Sequence, residues 1–160
     1  MNKPKNLTEL DNLISDTIKK DGPSADLNFI DISEIKNLTQ LFKGSEFNGD
    51  ISQWDTSNVE RMDWMLYKSK FNGDISMWNL SKVQDAEGMF YDSVFNRDIS
   101  EWDVSNVENM YGMFADSVFN QPIGNWNTGK VIDMKHMFAN SKFNQDISNW
   151  NTENVKDMYY

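Results

Sequence analysis

A stretch of 24 residues that begins "FNGDISQWDTSNVERM" at Phe47 returns four more times along this chain, and the spacing never slips. Phe47, Phe71, Phe95, Phe119 and Phe143 form one column, and Asn48, Asn72, Asn96, Asn120 and Asn144 form the next. Ile51, Ile75, Ile99, Ile123 and Ile147 make a third, followed by Trp54, Trp78, Trp102, Trp126 and Trp150. Val59, Val83, Val107, Val131 and Val155 continue the pattern, with Met62, Met110, Met134 and Met158 after them and Ala86 as the small exception. Met65, Met89, Met113 and Met137 then precede Leu66, Phe90, Phe114 and Phe138. A degenerate earlier copy lies in "DLNFIDISEIKNLTQLFKGS", where Leu27, Ile30, Ile35, Leu38, Leu41 and Phe42 fall in register. A unit this short cannot bury its own apolar side chains, whereas stacked copies can, so the repeat demands an array.

Within a unit, "FNGDISQW" is rich in strand-favouring residues and reads as a short strand. "SNVERMDWML" places Val59, Met62, Met65 and Leu66 at i, i+3, i+6 and i+7, which predicts one face of a short helix. Ser57 stands three residues before Glu60, Ser81 before Gln84 and Ser105 before Glu108, a capping-box spacing. Gly129 and Glu153 replace that serine in the last two units, whose helix starts should be less well capped. The expected architecture is an α/β repeat solenoid of about five and a half repeats over residues 24–160, each coil one short strand plus one short helix. Identical coils would place each column on a continuous ladder, with buried Asn amides bonding backbone groups of their own and the neighbouring coil. Residues 1–23 form a separate N-terminal capping helix: Leu10, Leu13, Ile14 and Ile18 share a face, and Gly22-Pro23 ends it.

The pattern F-N-x-D-I-S-x-W-[DN]-x-S-x-V-x-x-M-x-x-M-F resembles the BspA-like leucine-rich-repeat surface proteins, whose Mycoplasma lipoprotein-like repeats are found widely in bacteria. The resemblance runs from about residue 24 to residue 160. It implies a leucine-rich-repeat-like solenoid used for adhesion or protein binding. Members of that family usually carry a secretion signal and often a lipid anchor, and this array is also short and preceded by its own helical segment. "MNKPKNLTELDNLISD" has no apolar stretch of signal-peptide length, and no segment approaches a membrane span. A cytoplasmic location without membrane association is therefore expected, or a surface location if the chain is a fragment of a longer adhesin.

No catalytic set emerges. There is no cysteine, and His136 is the only histidine, which removes thiolate chemistry and paired-His sites. His136 shares its register with Trp64, Gly88, Gly112 and Tyr160, a solvent-facing position. Asp50, Asp74, Asp98 and Asp146 form a carboxylate column interrupted by Pro122, which hydrogen bonding to turn N–H groups explains. No enzyme, no cofactor and no metal is expected.

The formal charge is −10, which disfavours direct nucleic-acid binding. Residues 83–129 hold eight acids against one base, Arg97, and so carry −7 of that charge. Asp85, Glu87, Asp92, Glu101, Asp103, Glu108 and Asp116 are the candidate acidic contact residues for a partner protein with a basic surface. Trp64, Met77, Tyr91 and Tyr111 are the aromatic and Met candidates, in columns that change between copies. Two functions suit this inventory: a protein-binding repeat module, or a small acidic inhibitor that mimics nucleic acid in the basic groove of an enzyme. The last unit stops at "NVKDMYY", before the Met-Phe pair of the earlier units. Val155, Met158, Tyr159 and Tyr160 are accordingly expected at an uncapped edge that a homodimer could close.

Overall fold

The computed structural model describes residues 2–159; Met1 and Tyr160 lie outside them. The chain opens with α1, Leu7–Asp21, the one α-helix among the described residues. Asn6 starts it by accepting the N–H of Glu9 on its side-chain oxygen at 2.9 Å, and Glu9 accepts back from the Asn6 amide at 3.0 Å. That reciprocal pair satisfies donors the first turn leaves open. Lys19 and Lys20 lie in the last turn, where cations complement the helix dipole. Gly22, at φ 86°, closes the helix through its N–H to Ile18 O. Leu10 and Ile14 are buried, and grooves lined by Asp11, Ile14 and Ile18 with Leu41 and Phe42 mark where α1 lies along the first coil.

From residue 24 onward the units stack in parallel at a constant register of 24. Single bridges run Asn37 to Arg61 to Asp85 to Asn109 to Asp133 to Asp157, and another joins Asp26 to Asp50. The interior is a set of ladders running along the stack. The Phe47, Phe71, Phe95, Phe119 and Phe143 rings follow one another at 6.0–6.4 Å with planes within 3–7°. Trp54 with Trp78, and Trp102 with Trp126 and Trp150, repeat at 6.3–6.4 Å. Each of these indoles donates its N–H to the preceding coil, to Leu27, Ile51, Ile75, Ile99 or Ile123 O at 3.0–3.1 Å. A Trp column can therefore sit inside the core without leaving its one polar atom unpaired.

The short helix expected over residues 57–66, and over its copies, is not formed. The N–H groups of Met62, Trp64, Leu66 and Lys68 donate to Asp85, Glu87, Met89 and Tyr91 O of the next coil at 2.7–2.9 Å. The alternate N–H groups of Met65, Tyr67 and Ser69 close turns on Met62, Trp64 and Leu66 O. Half the donors thus point along the stack, which an α-helix, with every donor on its own i−4 carbonyl, does not allow. Trp64 and Lys68 both have positive φ, 56° and 55°, as do Gly88 with Asp92, Gly112 with Asp116, and His136 with Asn140. Two left-handed residues four apart in every unit end any right-handed helix. The apolar spacing Val59, Met62, Met65, Leu66 is satisfied instead by successive turns that dip into the core, where all four are buried.

The expected strand over "FNGDISQW" is likewise reduced to turns and bridges. Here the Asn column supplies the inter-coil bond: Asn48, Asn72, Asn96 and Asn120 Oδ1 each accept the N–H of the Asn one coil on, at 2.8–2.9 Å. These residues are half-buried or exposed, not the buried amides anticipated from the pattern. Side-chain oxygens also make the turns. Asp50, Asp74, Asp98 and Asp146 each accept the N–H two residues on at 2.9 Å. The same bond holds their carboxyls below the usual carboxylate range. Ser57, Ser81 and Ser105 do not cap a helix; their N–H groups go to Asp55, Asn79 and Asp103. Gly129 and Glu153 make the same bond to Asn127 and Asn151, so the last two units lose nothing by lacking the serine.

Candidate interaction face

Once the repeated columns are assigned to ladders and turns, the residues left on the outside are those that differ between copies. One cluster stands out. Trp64 lies 5.4 Å from Tyr67 at 85° and 5.8 Å from Tyr91 at 39°, and Tyr67 lies 5.5 Å from Tyr91 at 59°. All three rings are half-buried. Their placement follows from the backbone. Gly88 and Gly112 occupy the Trp64 register in the next two coils, with φ 55° and 56° and no side chain. A Cβ on Gly88 would collide with the Trp64 ring, and one on Gly112 would sit 3.3 Å from the Tyr91 ring. The Trp64 and Tyr91 rings therefore each lie against the glycine of the following coil.

Charged groups frame the cluster. The Lys43 and Lys68 ammonium groups stand 5.5 and 5.2 Å from the centre of the Tyr67 ring. Lys68 also reaches Asp92 at 3.8 Å. The Tyr91 hydroxyl is hydrogen-bonded to Asp116, which, with burial, pushes the phenol up to about 12. On the other border, Arg61 pairs with Asp63 at 3.0 Å and with Asp85 at 3.2 Å. Burial raises the Asp85 carboxyl above its ordinary value, opposed by the Glu87 N–H and by Arg61. Glu87 accepts from the Asn109 amide at 3.1 Å.

The structure thus gathers Trp64 and Tyr91 with Asp92 and Asp116, and holds Asp85 on Arg61 and Glu87 on Asn109. Other residues singled out from the sequence fall elsewhere. Tyr111 pairs edge-on with His136 at 5.6 Å, further along the stack. Met77, strongly exposed, and Glu101 belong to the turns 75–78 and 99–102, with Asp103 just beyond. Asp103 is engaged with Ser105 N–H, and Glu108 O receives Ile132 N–H. A run of acids along 24-residue coils is spread over several columns around the coil, so closeness in sequence does not make it one patch. Tyr67 and Arg61 were missed, although Tyr67 and Tyr91 are 24 apart in a column that continues as Ala115 and Ala139.

At the other extreme of the stack, Phe138, Phe143, Ile147, Trp150 and Val155 are only partly covered. Met134, Met137, Phe138, Ile147, Trp150 and Met158 line an open concavity of about 440 Å³ there. Of the edge residues expected, Val155 is half-buried, and Met158 is exposed on the rim. Tyr159 is exposed with its ring 5.9 Å from the Lys135 ammonium, and Tyr160 lies outside the described residues.

A stack of near-identical 24-residue units with a varied outer surface defines a tandem-repeat protein. The chain belongs to the family described as "Mycoplasma protein of unknown function, DUF285", which matches residues 8–117 and 92–160. No curated protein and no solved structure matches it. Among the described residues no helix is long and apolar enough to cross a membrane.

Proposed function

We propose that this protein is a non-enzymatic protein-binding module, a leucine-rich-repeat-like solenoid of the BspA-like type that holds a partner with a basic surface. One observation carries the reading: the variable columns bring Trp64, Tyr67 and Tyr91 together beside Asp92 and Asp116. The repeated columns, by contrast, are consumed by the core and by inter-coil bonds. Half-exposed aromatic rings with a charged border are the composition of binding hot spots, and rings anchored over glycine backbone lose little freedom when a partner arrives. The acidic-inhibitor reading requires charge alone to hold the partner. The distribution of the acids over separate columns supports the aromatic-anchored contact instead.

The test compares the protein with a Trp64→Gly, Tyr91→Ala variant in capture experiments from a bacterial extract and from bacterial and host cell surfaces. Circular dichroism verifies that the variant is folded. A partner that survives a high-salt wash on the parent and is lost from the variant supports the module. A nucleic-acid enzyme held by both proteins and released by salt alone would replace it with the inhibitor reading. Identical partners on parent and variant, whatever the salt, would remove the aromatic face from the account.

A further inference from the structure

We infer that Trp64, Tyr67 and Tyr91 form a seat for a single arginine side chain of the partner, with Asp92 as its counter-ion; this rests on the protein-binding reading above. Three observations converge on it. First, the rings are not stacked like those of the core. Core columns repeat with planes within 3–7°, whereas these three meet at 39–85° and are only half-buried.

Second, the cluster already attracts cations. Two lysines of the protein's own chain, from neighbouring coils, converge on Tyr67 at 5.5 and 5.2 Å. The negative faces of aromatic rings account for that attraction. Lys68 is half-exposed, held by the Tyr67 side chain and, at 3.8 Å, by Asp92, and an incoming cation with better geometry can displace it.

Third, the anionic groups sit at the rim and not under the rings. Asp92 faces Lys68, and Asp116 is engaged by the Tyr91 hydroxyl. A flat, weakly hydrated guanidinium can lie on a ring and present its N–H edge to the Asp92 carboxylate at the same time. A lysine ammonium, a strongly hydrated point charge, can do one or the other. A phosphate-bearing ligand would meet the Asp92 and Asp116 carboxylates and be repelled.

Lys68 is the incumbent cation, so removing it should strengthen binding. Loss of a positive charge alone would strengthen arginine and lysine ligands equally, so the seat requires a larger gain for arginine.

The experiment titrates the full chain with hexa-arginine and hexa-lysine peptides at about 0.15 M salt, followed by calorimetry and by the backbone amide and indole N–H resonances in two-dimensional NMR. Hexa-arginine should bind about five-fold more tightly than hexa-lysine and shift the Trp64 indole resonance. Trp64→Gly, which restores the residue native to this register at Gly88 and Gly112, should remove that preference while keeping the fold. Lys68→Ala should raise hexa-arginine affinity about three-fold.

Equal affinity for the two peptides, or weaker binding on Lys68→Ala, overturns the seat. If shifts cluster around Glu101 and Asp103 instead, the seat fails and the basic-partner reading stands. If neither peptide perturbs any resonance up to millimolar concentration, the seat and the basic-partner reading both fail.

Discussion

The units that begin at Phe119 and Phe143 are nearly the same text, yet they are in different physical states. Phe119, Ile123 and Trp126 are 0–3% exposed, whereas Phe143, Ile147 and Trp150, one register on, are partly covered and help leave an open groove. The internal turns are the same in both: Trp126 N–H closes on Ile123 O, and Trp150 N–H on Ile147 O, each at 3.1 Å. What differs is the neighbour. Local geometry in this protein is written within each unit, but burial, and the stability that comes with it, is supplied by the adjacent coil.

Three pairs of substitutions and one condition sharpen that contrast, the strongest first. Phe119→Ala opens a void between two coils and should cost about 3–5 kcal/mol in chemical denaturation. Phe143→Ala should cost roughly a third of that, because its ring is covered from one side only. Equal losses would show that the terminal coil is covered in solution.

Trp126→Phe deletes the indole bond to Ile99 O and a ring's worth of buried volume, for an expected loss of about 2 kcal/mol. Trp150→Phe removes the equivalent bond to Ile123 O from a half-exposed site and should cost about half as much, read from the same denaturation midpoints.

Asn96→Ala removes the acceptor of the Asn120 N–H and of the Gln121 amide and should cost about 1 kcal/mol. Asn144→Ala should be close to neutral, since among the described residues no further coil donates to it. Amide hydrogen exchange gives a second reading: Asn120 N–H should lose protection in the first variant, and no amide should do so in the second.

Acid titration should affect the inner unit that begins at Phe95 and the unit that begins at Phe143 alike, and weakly, the Phe119 unit having Pro122 in that register. Asp98 and Asp146 are both held below the ordinary carboxylate value by the N–H two residues on, Ser100 and Ser148. A depressed folded-state value means each contributes stability that is complete above the unfolded value, near pH 4. That contribution is lost as pH falls through the lower folded value. Asp85 acts in the opposite sense: burial raises its carboxyl, so it favours the folded state more when protonated. Carboxyl titrations by NMR should place Asp98 and Asp146 below Asp85; a reversed order would contradict the assigned hydrogen bonds.

Much of the core was legible in the repeat pattern alone. Phe47, Ile51, Trp54, Val59, Met62, Met65 and Leu66 are buried, as their columns required, and the α1 residues Leu10 and Ile14 are buried as their spacing anticipated. The conformation joining them was less legible. Val59, Met62, Met65 and Leu66 fit a helix face and a chain of turns equally well, because both bring every third or fourth side chain to one side. The discriminating signal was Gly88 and Gly112 in the middle of the supposed helix, with Asp92, Asp116 and Asn140 four residues on, all types that tolerate left-handed backbone.

For the interaction face, Trp64, Tyr91, Asp85, Glu87, Asp92 and Asp116 could be picked out from the varying columns. Their separation from Met77, Glu101 and Asp103 could not, because position around a coil depends on where the chain turns.

The sequence by itself therefore determined the register, the core columns and the turn-forming carboxylates, since each depends on a residue's own column or on a partner two residues away. Only the tertiary structure decided that half the backbone donors of residues 62–69 run between coils and that Trp64 lies on Gly88. It also decided that Trp150 is less covered than Trp126. Those outcomes depend on atoms 23 or more residues distant, and a packed neighbour, not a local preference, sets their energy.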